Sequence, residues 1–356
     1  MSIATYPISR VPPHDVVGSL ERGCEEHGLD PLAGRLADLR SFLTRDLEEV
    51  ERALSTVGIG GETPAHASAR HLLSQDGKRL RPICVALAAH IGEGFTDAAR
   101  AYAVAVELVH NATLLHDDVV DLGARRRGAD AARVIYGNAA SIFGGDWLLV
   151  EALCRIQRTG DEAVLSQMLE VIKEMVLAES MQLAKRGKLD TSTNDYFAIV
   201  DGKTASLFRW AMFAGARAGR VSDEACDALV DYGKKLGVAF QIVDDVLDVA
   251  GDPETTGKSL LADLGEGKMT YPLLLAVERC PELFPLLEAA SRGNEIGPDA
   301  AVRVLSTLRS LGVVEESLAL ARKLCEEAIA GLRPLPDGIA KRALVAVAVA
   351  TPERKR

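Results

Sequence analysis

Apolar residues recur at three- and four-residue intervals along most of this chain. Leu36, Leu39, Phe42, Leu43, Leu47, Val50 and Leu54 set the rhythm and predict an amphipathic helix of about 20 residues that ends near Gly58. The same period runs through 82–93, 96–119, 138–158, 161–185, 194–218, 223–250, 270–280, 298–311, 314–331 and 337–350. Short breaks of Gly, Pro, Asp and Ser separate these stretches, and no alternating segment competes as a strand, so the expected fold class is all-α. No Ser/Gly linker or fixed-period repeat divides the sequence, which predicts one large helical domain over 35–356. Residues 1–34 carry Pro12, Pro13, Gly18, Gly23 and Gly28 without periodicity and read as an N-terminal arm. Two longer irregular stretches, 121–137 and 251–269, each follow directly on an Asp-rich helix end.

Those two ends carry the chemistry. His116-Asp117-Asp118-Val119-Val120-Asp121 closes one long apolar helix, and Gln241-Ile242-Val243-Asp244-Asp245-Val246-Leu247-Asp248 repeats the D-D-x-x-D spacing on another. At helical pitch, Asp117 and Asp121 share a face about 6 Å apart along the axis, as do Asp244 and Asp248. Carboxylates at a helix C-terminus face the unfavourable end of the dipole, and neighbouring ones about 4 Å apart repel by about 4 kcal/mol at an effective dielectric of 20. Something positive must compensate. One such cluster is readily a solvated helix end; two identical ones flanked by Val and Leu are not. Oxygen-only ligands without nearby His or Cys select hard cations, and carboxylates with room for water and phosphate suit Mg²⁺. The six aspartates, Asp117, Asp118, Asp121, Asp244, Asp245 and Asp248, are therefore read as a shared multi-Mg²⁺ site.

Composition limits the partners. Against 41 Lys+Arg stand 51 Asp+Glu, a formal net charge of −10, which argues against nonspecific nucleic-acid binding. Aromatics are 4%, so surfaces for stacking bases are scarce. Cys24, Cys84, Cys154, Cys226, Cys280 and Cys325 form no C-x-x-C pair and fit reduced thiols in the cytoplasm better than a disulfide framework or zinc site. Met1–Val17 lacks the apolar core of a signal peptide, and the run Ala343–Ala350 is too short to cross a bilayer. A cytoplasmic protein without a transmembrane segment is expected.

An acidic protein that binds a Mg-diphosphate needs local positive charge, and three places supply it. Lys78 and Arg81 lie in a turn entering the next helix, where Arg can grip phosphate oxygens bidentately, although alone this turn could be a surface feature. Arg125-Arg126-Arg127 follows Asp121 closely. Lys203, in a helix beside Phe197, Ile199, Leu207 and Phe208, either snorkels or serves a site, and Lys258 and Lys268 lie after the second cluster. Gly202-Lys203-Thr204 and Gly257-Lys258-Ser259 are not P-loops, because Phe197 and Asp252 stand where the first glycine is required and neither follows a strand.

GKRLRP at 77–82, VELVHNATLLHDDVVD at 106–121, RRG at 126–128, KTASLF at 203–208, FQIVDDVLD at 240–248, GKSLLADL at 257–264 and EGKMTYPLL at 266–274 resemble, in order and over about 35–350, the trans-isoprenyl diphosphate synthases or polyprenyl synthetases. The resemblance implies a single bundle of long helices around a central prenyl-chain cavity, working as a homodimer. It implies that Asp117, Asp121 and Asp244 hold three Mg²⁺ ions against an allylic diphosphate, supported by Asp118, Asp245 and Asp248. Arg126, Lys203 and Lys258 would hold the same diphosphate, and Lys268 would back the metal site. Lys78, Arg81, His110 and Arg127 would bind isopentenyl diphosphate, while Thr204, Phe240 and Gln241 lie near the reacting carbons. Lys203, Thr204 and Gln241 are the residues implied closest to catalysis. Arg125, Leu122-Gly123-Ala124 and Ala129-Asp130-Ala131 depart from the family's usual loop.

Ala112 and Thr113, just before Asp117, are small where bulky aromatics would block a growing chain. Each turn adds about 5.4 Å of depth, comparable with one extended isoprene unit, so a long-chain all-trans product near the octaprenyl class is expected; Ala112 could also merely permit close helix packing. Geranylgeranyl diphosphate synthase and a noncatalytic subunit of a heteromeric synthase are the alternatives. A terpene cyclase fits less well, since it needs no second diphosphate site.

Overall fold

Helices form where the period predicts them. The computed structural model describes residues 30–75, 77–251, 260–291 and 297–354. α1 (Asp30–Ser55), α2 (Pro64–Leu73), α3 (Leu80–Ala89) and α4 (Asp97–Val120) lead to a hairpin of β1 (Arg125–Arg126) and β2 (Ala129–Asp130). α5 (Ala132–Tyr136), α6 (Asn138–Gln157), α7 (Glu162–Lys185) and α8 (Thr193–Val200) follow. A π turn (Asp201–Ala205) joins α8 to α9 (Ser206–Ala218), and α10 (Asp223–Ala250) carries the second aspartate cluster. The chain ends with α11 (Ala262–Gly265), α12 (Tyr271–Arg279), α13 (Phe284–Ser291), α14 (Pro298–Ser310), α15 (Val313–Gly331) and α16 (Ile339–Ala350), plus short 3₁₀ turns at Pro281–Leu283 and Thr351–Glu353. The N-terminal arm expected over 1–34 lies outside the described residues up to position 29, and α1 already begins at Asp30.

Caps explain several boundaries. The Thr96, Ser222 and Ser192 hydroxyls accept from backbone N–H groups at the starts of α4, α10 and α8, and Asp161 accepts from Ala163 and Val164 at the start of α7. Ser192 and Asp195 complete a reciprocal capping box. The hairpin corrects the expectation of no strands. Arg127 and Gly128, its two central residues, both have positive φ (51° and 81°), the backbone of a tight twisted hairpin turn. Strands of two residues are too short to leave an alternating pattern.

α4, α9 and α10 form the centre. α4 packs on α6 and α3; α9 lies between α3 and α10; α10 also packs on α15. The largest buried side chains include Trp210, Tyr102 and Tyr232, and each has its polar tip satisfied. Trp210 Nε1 donates to the Val164 carbonyl (3.2 Å), Tyr102 Oη meets Thr159 Oγ1 (2.8 Å), and Tyr232 Oη donates to the Leu344 carbonyl (2.8 Å). Few aromatics fill the rest, so alanine and glycine let the backbones approach. Cys84, Cys154, Cys226, Cys280 and Cys325 are free thiols, and Cys24 lies outside the described residues. Among the described residues no helix is long and apolar enough to cross a membrane.

Gly215 shows how tight the contact is: a Cβ there would stand 2.3 Å from the Val85 carbonyl oxygen. That oxygen belongs to helical backbone and cannot swing aside. Replacing a helical glycine by alanine would gain about 1 kcal/mol in propensity, while forced overpacking costs about 1–3 kcal/mol or more. Gly215→Ala is therefore expected to destabilise the protein, lowering the urea midpoint with an unchanged slope.

Candidate active site

The helical twist separates the fates of the first three aspartates. Asp117, near the end of α4, faces Lys203 Nζ at 3.6 Å. Burial pushes its carboxyl up, with the nearby Lys203, Lys268 and Arg126 opposing that shift. Asp118 turns inward and is fully buried, accepting from Arg126 Nε (2.9 Å) and Nη2 (2.6 Å) through one oxygen. Asp121 caps the helix and accepts from Lys268 Nζ (2.7 Å) and from Arg186. Arg126, implied as a diphosphate ligand, is thus placed by Asp118 beside the cluster.

In the second cluster Asp244 is half-exposed and accepts from Arg354 Nη2 at 2.8 Å. Asp245 is buried and accepts from the Tyr196 hydroxyl (2.6 Å), Gln241 Nε2 (2.9 Å) and the Tyr271 backbone N–H (3.3 Å). Burial and then the Asp263 charge push its carboxyl up to about 7, against the pull of those hydrogen bonds. With both oxygens engaged, Asp245 suits positioning better than direct ligation. Asp248 accepts from the Asp263 backbone N–H (3.2 Å).

Two short chains of contacts link the clusters through residues that line one cavity. Along the first, Lys203 beside Asp117 precedes Thr204, whose hydroxyl donates to Gln241 Oε1 (2.9 Å), and Gln241 holds Asp245. Along the second, Lys268 holds Asp121, its backbone N–H donates to the Asp263 carbonyl (2.9 Å), and Asp263 holds Asp248. Lys203, Thr204, Gln241, Asp245, Asp263, Lys268 and Tyr196 line a cavity of about 130 Å³, room for several waters.

The π turn corrects the continuous helix expected over 194–218. It inserts at Asp201–Ala205 and aims Lys203 at Asp117, Glu179 and Gln182 while the adjacent Thr204 reaches Gln241. A π turn changes the angular register locally, which apolar periodicity over a long window averages away.

A basic pocket adjoins this cavity. Arg79, at positive φ (52°), begins α3 and pairs with Glu51 (2.5 Å) and with Glu107 (2.7 Å), which is 2% exposed. Burial would raise the Glu107 carboxyl, but Arg79, Arg127 and Arg81 outweigh it and hold it below the usual range. Gly77 leaves room for this pair, since a Cβ there would lie 2.3 Å from an Arg79 guanidinium nitrogen, which would have to shift. Three cations then gather on two neighbouring rings: Lys78 and Arg354 over Phe240 (5.9 and 3.8 Å), and Arg81 over Phe208 (4.8 Å), with the rings 5.6 Å apart and tilted by 46°. Such stacking favours cations on desolvated faces. Arg81 Nε is buried without a hydrogen-bond partner among the described residues, and burial pushes its guanidinium pKa down. Arg127 reaches Asn111 (3.4 Å). His110 is held neutral, first by burial and then by the charges of Arg81, Arg127, Arg126 and Arg79. An orphaned buried donor amid so much positive charge fits an anion with several oxygens.

Lys258 lies outside the described residues. Thr113 is half-buried with its hydroxyl donating to the His110 carbonyl (2.8 Å). Ala112 is buried, and its carbonyl lies 3.0 Å from where a Cβ on Gly145 would stand, so α4 and α6 approach closely there. Sequence reading missed Arg79, Glu107, Arg186, Tyr196, Asp263 and Arg354. A signal for Glu107 and Asp263 existed, since a lone acid in an apolar stretch needs a partner; Arg354, in the final residues, gave none.

Residues 63–300 match the polyprenyl synthetase family. Octaprenyl diphosphate synthase of Escherichia coli (strain K12) is 36% identical over 289 residues, covering 80% of this chain and 88% of that one. Geranylgeranyl diphosphate synthase of Saccharolobus solfataricus is 30% identical over 295 residues, covering 80% and 89%. The crystal structure of a polyprenyl synthase from Caulobacter crescentus CB15, complexed with calcium and isoprenyl diphosphate, superposes with a TM-score of 0.84 at 35% identity, covering 89% of this chain and 97% of that one. The chain belongs to the polyprenyl synthetase family and is an enzyme of the trans-prenyl diphosphate synthase class, whose members depend on divalent metal. Among the described residues no three His, Cys, Asp or Glu side chains gather into a preformed metal cage. Hard oxygen donors split between two helices instead fit a divalent ion that keeps waters and shares phosphate oxygens with its substrate.

Removing Arg79 by Arg79→Ala strands a buried carboxylate and is expected to cost about 3–5 kcal/mol in urea unfolding, with part restored by adding Glu107→Gln. For His110, whose folded pKa lies well below its ordinary 6.5, the folded state binds fewer protons than the unfolded one. Its contribution is full above about pH 6.5 and is lost as pH falls toward the depressed value. The melting temperature should therefore fall less steeply from about pH 7 to about pH 5 in His110→Asn than in the wild type.

Proposed function

We propose that this enzyme condenses isopentenyl diphosphate with an allylic diphosphate and extends an all-trans polyprenyl chain of the long-chain, octaprenyl-like class, in a Mg²⁺-dependent reaction. The observation that carries the reading is a cavity lined by Asp245 and by Lys203 and Lys268, which meet Asp117 and Asp121 of the other cluster, together with the placement of Lys78, Arg81 and Arg354 on Phe240 and Phe208. One site holds an ionising diphosphate; the other holds a second diphosphate that must not ionise. Asp117, Asp121 and Asp244 would hold the Mg²⁺ ions, three in number, with Asp118, Asp245 and Asp248 positioning them. The bound metal supplies charge neutralisation at the departing diphosphate.

The chain's own residues do the rest. Lys203, with Arg126 and Lys258, binds the allylic diphosphate, and Lys268 balances Asp121. Arg81, Arg127 and Lys78 grip isopentenyl diphosphate, to which neutral His110 adds a hydrogen bond without further charge. Thr204 and Gln241 present fixed dipoles to the developing carbocation, and the Phe240 ring shields it from water. Small Ala112 and Thr113 leave depth along α4 for a growing chain. The 36% identity to an octaprenyl diphosphate synthase supports the long-chain reading.

Association as a homodimer belongs to the same reading. Phe143 (62% exposed) and Val150 on α6 stand seven residues apart, as do Leu169 and Val176 on neighbouring α7, with Leu177 and Leu183 on the same helix. These positions give each helix an exposed apolar stripe. No nucleic acid is a partner in this reading, and the cytoplasm is the compartment.

Incubating the enzyme with Mg²⁺, farnesyl diphosphate and isopentenyl diphosphate and sizing products by mass spectrometry tests the proposal. Long-chain product is expected, and Ala112→Phe or Thr113→Phe should shorten it. Mainly C20 product would make the enzyme a geranylgeranyl diphosphate synthase. Turnover only after a second, different chain is added would make it one subunit of a heteromeric synthase.

A further inference from the structure

Arg186 stands at a junction that the proposed chemistry has not used. α7 stops at Lys185, and Arg186 leaves it in an extended conformation (φ −56°, ψ 129°). Gly187 turns with φ 70° and donates its N–H to the Gly267 carbonyl at 2.9 Å, so this loop is tied to the turn that presents Lys268. Arg186 and Lys268 then reach the same carboxylate, Asp121, from two linked loops. Arg186 Nη1 also donates to the Val120 carbonyl (3.0 Å), one of the carbonyls left without a helical partner at the end of α4. Asp121 is 8% exposed and Arg186 27%, so the guanidinium has water beside it and a flexible stem on which to move.

The consequence follows from charge. A divalent ion arriving alone at Asp121 meets a guanidinium and an ammonium already bound there. A diphosphate arriving with it brings oxygens that accept those same groups. Lys203 at Asp117 and Arg354 at Asp244 repeat the arrangement at the other two aspartates.

We infer that Arg186 is an exchangeable counter-cation: it occupies Asp121 in the empty enzyme, cedes that carboxylate to the divalent ion, and transfers its guanidinium to a diphosphate oxygen. It thereby couples metal entry to diphosphate entry. The inference rests on Asp121 being a metal ligand. Arg186 is a positioning residue, and its removal leaves Lys268 to accompany Asp121.

Isothermal titration calorimetry on the full chain at constant ionic strength tests it, using MgCl₂ alone and inorganic pyrophosphate at saturating Mg²⁺. In Arg186→Gln, Mg²⁺ alone should bind about fivefold tighter and pyrophosphate about fivefold weaker, the equilibrium equivalent of one partly buried ion pair. Arg186→Lys should move both in the same directions by less, and it decides the matter if the glutamine variant does not fold. Metal affinity that is unchanged, or that weakens together with pyrophosphate affinity, overturns the inference by making Arg186 a structural tie only. Failure of the wild type to bind pyrophosphate with Mg²⁺ would instead remove the metal-site reading on which the inference depends.

Discussion

Carboxylates crowded at the C-terminal ends of α4 and α10, two helices that both pack on α9, dominate this structure's electrostatics. A helix end already carries partial negative charge, and burial removes the water that would otherwise screen the acids. Every cluster aspartate described above is met by a donor from elsewhere in the chain: Lys203 at Asp117, Arg126 at Asp118, Lys268 and Arg186 at Asp121, Arg354 at Asp244, Tyr196 at Asp245, and the Asp263 backbone N–H at Asp248. These contacts draw the segment after α7, the π turn, α11 with the turn after it, and Arg354 onto the two clusters. The same requirement for compensation therefore organises both the fold around the site and its readiness for a metal-bound anion.

A second balance operates in the basic pocket. Buried Glu107, shared with Arg79, sets the net charge around Arg81 and Arg127 and keeps their mutual repulsion tolerable. Neutral His110 follows from the same field. The rings of Phe208 and Phe240 let Lys78, Arg81 and Arg354 sit close together on aromatic faces. An acidic protein thus presents a strongly positive pocket, because local placement and not global charge decides what binds.

Long, uninterrupted helices were legible from the three-to-four periodicity because each buries one apolar face, and α4, α6, α7, α10 and α15 lie close to their expected ranges. Short elements were not. α2, α5, α11 and α13 bury too little for a periodic signature, the hairpin depends on two positive-φ residues, and the π turn at Asp201–Ala205 shifts register by a single residue. The two D-D-x-x-D motifs were legible as acidic helix ends because their spacing is local to the sequence. The division of labour inside each motif was hidden, since identical aspartates are told apart only by which direction each faces in the packed molecule.

By itself the sequence determined an all-α chain, two acidic helix ends that needed compensation, and the basic segments able to provide it, because spacing on a helix and charge type are local properties. Tertiary structure decided which cation meets which aspartate. It brought Arg354 across 110 positions to Asp244 and Arg186 across 65 to Asp121. Such pairings depend on where helices stop and how loops return, and those are set by packing of the whole core, not by any stretch of residues read alone.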